Sequence, residues 1–321
     1  MTLVITNTEA KGLMTVAAAH DVMKQVLIDM ACGKAVNHPR YRMPTTSGFV
    51  QWGPARWDSM DAMGFKYWAN AGSPLKGAWI YLYQMSTGEL LAIIEAHHVS
   101  RCRTAAVSAV GAEALLGTER DKKLVLGIYG SGRQALGQVE ALVGCLSISR
   151  VQCYSRDEAK RTAFAREITA HFKVDCVAVA HPSEAAAGAE LIVTATSAHE
   201  PVLFGDWLDN VQVIVGMGAN RTYERELDAT VIRKMRTILV DDLEEAKQGC
   251  GDLLYSIEQG WLTWQSVSEL PGVLAGHTNG GMERPALFES LGLSVTDVAI
   301  AWATYQAALE KGVGQKVTIL G

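Results

Sequence analysis

The sequence predicts an α/β protein in two parts, a doubly wound parallel sheet preceded by an α+β domain. Six short, β-branched apolar runs, most separated by helical stretches, follow residue 121. The first run ends in a glycine-rich turn that opens an amphipathic helix. Before residue 121, long helical periods are mixed with strands of alternating polarity. Strand–helix alternation argues for parallel strands covered by helices, and continuous apolar strands fit a sheet buried on both faces.

Taken in order, "TVAAAHDVMKQVLIDMACGK" (15–34) is an amphipathic helix, with Val16, Ala19, Val22, Met23, Val26, Leu27 and Met30 at helical spacing. "GAWIYLYQMSTGELLAIIEA" (77–96) reads as a hairpin, two apolar runs around the turn former "STGE". "SRCRTAAVSAVGAEALLG" (100–117) reads as an Ala-rich helix ended by Gly117. Trp52, Trp57 and Trp68 fall in this first part, as pocket lining, interface or core. The six runs that follow are "KLVLGIYG", "RVQCYS", "VDCVAVA", "ELIVTATS", "VQVIVGMG" and "TILVDD". A loop, "NGGMERPALFESLG", leads to a last helix, "SVTDVAIAWATYQAALEKG" (294–312), expected to pack back on the first domain.

At 321 residues there is room for about two domains. The net charge of −5 offers no electrostatic case for nucleic acid or an anionic membrane as partner. The N-terminus lacks the basic start and apolar run of a signal peptide, and no apolar segment approaches the roughly 20 residues that span a bilayer. A soluble, cytoplasmic protein is expected. The six cysteines form no CxxC pair, so reduced thiols are expected and no metal site. Neither HExxH nor GxSxG occurs, which removes the usual signatures of metal and serine hydrolysis.

The stretch "LVLGIYGSGRQALGQVEALV" (124–143) carries the chemistry. Gly130, Gly132 and Ala135 make a G-x-G-x-x-[GA] pattern between an apolar strand and a helix, the context a dinucleotide turn requires. Gly130 permits the tight turn, Gly132 lets backbone approach a pyrophosphate, and Ala135 lets helix and strand lie close. The N–H groups of the helix start face the anion, and Arg133 adds a cation. The second strand ends in "CYSRDEAK". Ser155 and Arg156 sit where a 2′-phosphate would lie; Asp157 either opposes that phosphate or caps the next helix. On this acid-versus-arginine logic NADP(H) is favoured, with NAD(H) the alternative.

Several stretches together, "RTAAVSAV" (103–110), "GIYGSGRQA" (127–135), "CYSRDEAK", "IVTATSAHEPVLFGDWL", "VGMGANRTYERELD" (215–228), "VDDLEEAKQGCGDL" (240–253) and "LFESLGLSVTD" (287–297), resemble the ornithine cyclodeaminase/μ-crystallin family. The resemblance runs through nearly the whole chain in order. It implies a substrate-binding and dimerisation domain (1–120 and 293–321), a Rossmann dinucleotide-binding domain (121–292) and a homodimer. It further implies hydride transfer between a nicotinamide and the α-carbon of a small imino or amino acid. Cofactor contacts are then expected from Gly130, Ser131, Gly132, Arg133 and Gln134, from Ser155 and Arg156, from Thr196 and Ser197, and from Gly216, Met217 and Gly218.

Carried over residue by residue, Arg40 in "HPRYRMP", Lys66 in "MGFKYW" and Arg103 in "RTAA" match the family's cations at the substrate carboxylate. A carboxylate site suits a planar two-donor cation, and a nearby lysine can anchor or donate a proton. Each has an alternative. Arg103 can pair with an acid of the fold. Lys66, beside Tyr67 and Trp68, can lie along an aromatic surface. Arg42 can replace Arg40 as ligand, since both share a face of an extended segment. Cyclodeaminases carry an aspartate where this chain has Asn220, and an amide cannot act as a base. Asn220 orients substrate or carboxamide, or serves as a left-handed turn residue.

His97 and His98 are candidate proton carriers or packing residues ahead of a helix, and His199 and His277 lie in loops that a nicotinamide could approach. The expected activity is reduction of an imino acid, or the reverse oxidation. The alternatives are cyclodeamination of ornithine or lysine with held NAD, and a non-catalytic protein that binds NADPH and a small ligand.

Overall fold

The computed structural model describes residues 1–69, 77–277 and 282–319, and the chain forms two compact units. One comprises Met1–Ala106 and Gly292–Gly321, the other Val107–Leu291.

The first unit is built on an eight-stranded sheet. Its strands are β1 (Thr2–Ile5), β2 (Ala35–Asn37), β3 (Tyr41–Thr45), β4 (Gly48–Trp57), β5 (Ala62–Ala69), β6 (Gly77–Gln84), β7 (Leu90–Glu95) and the closing strand Gln315–Val317. The order is closing strand, β1, β7, β6, β5, β4, β2, with β3 also on β4. Only β1 and β7 run parallel. The expected hairpin is β6–β7, and β4–β5 is a second, longer one.

Strand alternation gives this sheet two different faces. Ala62, Gly64 and Lys66 lie on one, and the helix Ser294–Lys311 packs on β4 and β5 and on the helix Val16–Ala31. The predicted amphipathic helix thus buries Val16, Ala19, Met23, Val26 and Leu27. On the other face, cross-strand neighbours form aromatic rows: Trp52, Tyr67 and Trp79 in one, Pro54, Phe65 and Tyr81 in the next. Phe65 and Tyr81 stack at 5.0 Å. The three tryptophans separate. Trp57 is buried and donates to Asp29 at 2.6 Å, Trp68 packs edge-on to Phe49, and Trp52 lies on the aromatic face.

The second unit carries an eight-stranded, all-parallel sheet. Its strands are β8 (Leu124–Tyr129), β9 (Ile148–Tyr154), β10 (Asp175–Ala178), β11 (Leu191–Thr194), β12 (Val213–Gly216), β13 (Thr237–Val240), β14 (Val267–Glu269) and β15 (Ala286–Glu289). The order is β10-β9-β8-β11-β12-β15-β13-β14. The six predicted runs are β8 to β13. The strand order reverses between β8 and β11, where such sheets bind ligands beyond the carboxyl ends of their strands.

One expectation is corrected. "NGGMERPALFESLG" is not all loop: its "ALFE" is β15, fully buried and paired on both sides by β12 and β13. Asn279–Gly281 lie outside the described residues. The helix expected at 100–117 begins earlier, at His97, and ends at Leu116; Gly117 follows at φ +54°. Both histidines therefore lie inside its first turn rather than ahead of it.

Candidate active site

In the first unit, three elements bring charges together: β5, the helix His97–Leu116 and the helix Ser294–Lys311. Lys66 Nζ donates to Asp297 Oδ2 at 2.6 Å, and Arg103 Nε donates to Asp297 Oδ1 at 2.9 Å. One carboxylate thus holds two cations, one on each oxygen. Arg103 is 6% exposed and Asp297 2%. Lys66 does not lie along the aromatic surface: alternation sends its neighbour Tyr67 there and Lys66 to the opposite face.

Small residues make the space. Gly53 is the cross-strand neighbour of Lys66, and a Cβ on it would collide with Ser294 Oγ and press Arg40 Cγ. Gly292 has φ +80°, and a Cβ there would lie 2.6 Å from Arg103 Nη1. The start of the last helix is pinned because Val295 N donates to Asn37 Oδ1 at 3.2 Å.

The electrostatics follow from burial. Desolvation pushes the Lys66 ammonium down to about 8; Asp297 opposes this, while Arg103 and Arg40 add to it. Burial alone would raise the Asp297 carboxyl, but Arg103, Lys66 and Arg40 overcome it and hold Asp297 below the usual carboxylate range. Arg40 lies alongside, with its Cγ next to Gly53 and Ser294. Arg42 lies opposite Gln51 on the same sheet face as Lys66; its Nε donates to Gln51 across the β3–β4 pair at 2.6 Å, and it lies over the Phe49 ring.

The histidines do other work. His98 N donates to Asn7 Oδ1, and its ring bonds the Met14 carbonyl at 2.8 Å, which ties the helix start to the N-terminal helices. His97 faces Glu95 at 3.6 Å.

In the second unit, β8 enters the glycine turn. Gly130 has φ +113°, and a Cβ on it would collide with the Ala195 carbonyl. Gly132 caps the helix Arg133–Cys145, which has no side-chain N-cap. A Cβ on Gly132 would meet nothing, so the space above the turn is open. Ala135 is fully buried, which lets the helix lie close to the sheet. Gln134 Oε1 is buried without a partner. An uncapped helix start with free N–H donors and open space above it fit the phosphates of a dinucleotide.

Ser131 Oγ bonds Ser155 Oγ at 2.9 Å, joining this turn to the end of β9. Arg156 is exposed there. Asp157 caps the following helix by accepting from Lys160 N at 3.0 Å, so the capping reading of Asp157 holds. Thr196 and Ser197 follow β11, and Gly216, Met217 and Gly218 lie at the end of β12. Asn220 N donates to Gly218 O at 2.9 Å. Asn220 is not a left-handed turn residue: among described non-glycine residues only Asp61 and Lys173 have positive φ. His199 packs on Tyr223, and His277 is exposed.

The family model for the ornithine cyclodeaminase/mu-crystallin family matches residues 1–312. The chain belongs to this family. It is 31% identical over 331 residues to the alanine dehydrogenase of Archaeoglobus fulgidus, covering 98% of each chain. Among solved structures it is similar to Thermococcus litoralis Δ1-pyrroline-2-carboxylate reductase in complex with NADH and L-proline. There the TM-score is 0.90 at 26% identity, covering 98% of this chain and 100% of that one. An archaeal alanine dehydrogenase dimer with bound NAD gives a TM-score of 0.90 at 28% identity, covering 99% of both.

Two features of this family member escape a reading of its sequence. Asp297, in "SVTD", looks like an acid complementing a helix dipole. The available signal was charge balance, since buried cations need a counter-charge. The second feature is a group of buried acids behind the strand ends. Glu226 Oε1 accepts from Thr196 N at 2.6 Å and Oε2 from Gly218 N at 2.7 Å, so one carboxylate clamps the loops after β11 and β12. Asp252 accepts from Glu226 N and Leu227 N, both at 3.0 Å. A Cβ on Gly216 would lie 2.6 Å from Glu289 Oε2, so this glycine makes room for a buried carboxyl. Burial, then the charges of Asp252, Glu226 and Asp241, push the Glu289 carboxyl well above its ordinary range.

Proposed function

We propose that this protein is a nicotinamide-dependent oxidoreductase that reduces a small imino acid to the amino acid, or runs the reverse oxidation. The observation that carries this reading is one buried carboxylate, Asp297, held by Lys66 and Arg103, with Arg40 alongside at Gly53 and Ser294. Two cations share this one carboxylate, which leaves the arrangement positive, and an α-carboxylate complements it. Its relatives act in the same direction: one reductase was solved with NADH and L-proline, and a second relative is an alanine dehydrogenase.

In this reading Arg103 and Arg40 bind the substrate carboxylate, with Arg42, bonded through Nε to Gln51, the alternative to Arg40. Lys66 passes a proton to the substrate nitrogen as it becomes an amine. Its depressed ammonium value puts that proton within reach near neutral pH. Bound at the Gly130–Ala135 turn, a nicotinamide dinucleotide supplies the hydride. Ser131, Gly132, Arg133 and Gln134 at the helix start, with Thr196, Ser197, Gly216, Met217 and Gly218 after the neighbouring strands, would hold the dinucleotide. Asn220 orients by hydrogen bonds. With no titrating group it cannot act as a base, so we place reduction ahead of cyclodeamination.

We favour NADP(H). Asp157 is engaged as a helix cap, which leaves the exposed Arg156, next to Ser155, to meet a 2′-phosphate. A homodimer is supported by the dimeric archaeal relative and by the aromatic face of the first sheet. That face exposes Tyr41 at 58% and Met43 at 45%, and holds a 420 Å³ depression lined by Trp52, Pro54, Phe65 and Tyr67. The test is cofactor oxidation with pyrroline-2-carboxylate, piperideine-2-carboxylate, iminosuccinate, and pyruvate or glyoxylate with ammonia. Turnover of at least one to its amino acid is expected. Cofactor binding with no turnover across the panel would leave a binding protein instead.

A further inference from the structure

We propose that Asp297 is the positioning residue of this centre: it keeps Lys66 in the ammonium form and aims the terminal nitrogens of Arg103 at the substrate carboxylate. The inference rests on the reading of Lys66 as proton donor and of Arg103 as carboxylate ligand.

The geometry is divided between the two oxygens of one carboxylate. Oδ2 takes Lys66 Nζ and Oδ1 takes Arg103 Nε. Arg103 is thereby gripped at its inner nitrogen, which sets the plane of the guanidinium. Its outer nitrogens lie against Gly292, where a side chain would intrude. The charged groups facing Lys66 are Asp297 from the last helix, Arg103 from the helix His97–Leu116, and Arg40 ahead of β3. Burial and both guanidinium groups favour loss of the lysine proton; Asp297 alone among these favours keeping it. Remove its charge and the remaining influences all act in one direction. A merely structural buried pair would be balanced, and apolar residues could replace it at little cost. Here one carboxylate holds two cations, Lys66 and Arg103, so its role is to ration positive charge rather than to cancel it.

The test has two readouts. The first is titration of Lys66 by NMR in protein labelled at lysine Cε, assigned with Lys66→Arg, without substrate or cofactor. A midpoint near 8 is expected in the natural protein. Asp297→Asn should lower it by about one pH unit or more, a tenfold loss of ammonium at a given pH above it. The second is the pH profile of kcat/KM for pyrroline-2-carboxylate. Its alkaline limb should follow the same midpoint and move acidward in Asp297→Asn. Asp297→Glu keeps the charge but displaces the Arg103 contact, so it should keep the limb and raise KM severalfold.

If Asp297→Asn does not fold, Asp297→Glu decides: a shifted limb with an unchanged KM would overturn the proposal. An unmoved Lys66 midpoint in folded Asp297→Asn would overturn it while leaving imino-acid reduction standing. A natural protein that shows the titration but no turnover on the whole substrate panel would sink the reading of function and leave the charge relation between Asp297 and Lys66 intact.

Discussion

Arg103→Lys is the substitution whose cost the structure lets one work out. Arg103 holds Asp297 through Nε at 2.9 Å, and its two outer nitrogens remain on the side of Gly292. In the proposed complex those nitrogens meet a carboxylate in a two-bond fork. A lysine keeps the charge but has one nitrogen, so it can satisfy Asp297 or the substrate with good geometry, not both. At least one charge-assisted hydrogen bond is lost, about 1.5–3 kcal/mol. At about 1.4 kcal/mol per tenfold, KM for the imino acid should rise roughly ten- to hundredfold. The cofactor KM should stay within about twofold, because the loss falls on the carboxylate and not on the glycine turn. The assay is steady-state cofactor oxidation against imino-acid concentration, with a thermal melt to confirm folding. A folded Arg103→Lys protein with an unchanged KM would refute the carboxylate role of Arg103.

Three further outcomes are expected. Gly130→Ala places a side chain at φ +113° against the Ala195 carbonyl, so cofactor affinity should fall more than tenfold by calorimetry and stability by about 2–5 kcal/mol. Arg156→Ala should raise KM for NADPH about tenfold and leave NADH unchanged, as expected for a lost phosphate contact; equal effects on both would remove the NADP preference. Glu289 carries a raised carboxyl value in the fold, so the native state keeps a proton that the unfolded chain has lost above the ordinary glutamate range. Its contribution therefore weakens as pH rises toward that raised value, at up to about 1.4 kcal/mol per pH unit. Glu289→Gln mimics the protonated form and should flatten this slope in urea melts at pH 5, 6 and 7; parallel slopes would count against it.

Much of the second unit was legible because its strands are continuous apolar runs separated by helical stretches. The strand Ala286–Glu289 was not, since four residues ending in an acid and sitting in a Gly- and Pro-bearing stretch look like loop. Only its pairing with β12 and β13 makes it a strand. The candidate site was reached through the family resemblance, which singled out Lys66, Arg103 and Arg40. The partner shared by Lys66 and Arg103 was not legible, because Asp297 lies 194 residues from Arg103 and meets it only in the folded unit. Strand parity separates Lys66 from Tyr67, and it takes the register of β3, β4 and β5 to put Arg42 and Lys66 on one face. Glu226 was hidden for a related reason, since its bonds go to backbone N–H groups that no side-chain pattern reveals.

At the centre of the proposed reaction, an imino acid held by its carboxylate at Arg103 and Arg40 takes a proton from Lys66 and a hydride from a nicotinamide. This step is tested most directly by incubating the purified protein with NADPH or NADH and pyrroline-2-carboxylate, then measuring proline formed against cofactor oxidised. The account predicts one proline per cofactor molecule consumed, with loss of both when Arg103 is replaced by alanine. Proline and ammonia appearing from ornithine, with no net change in the cofactor and no reaction of the imino acid, would contradict it.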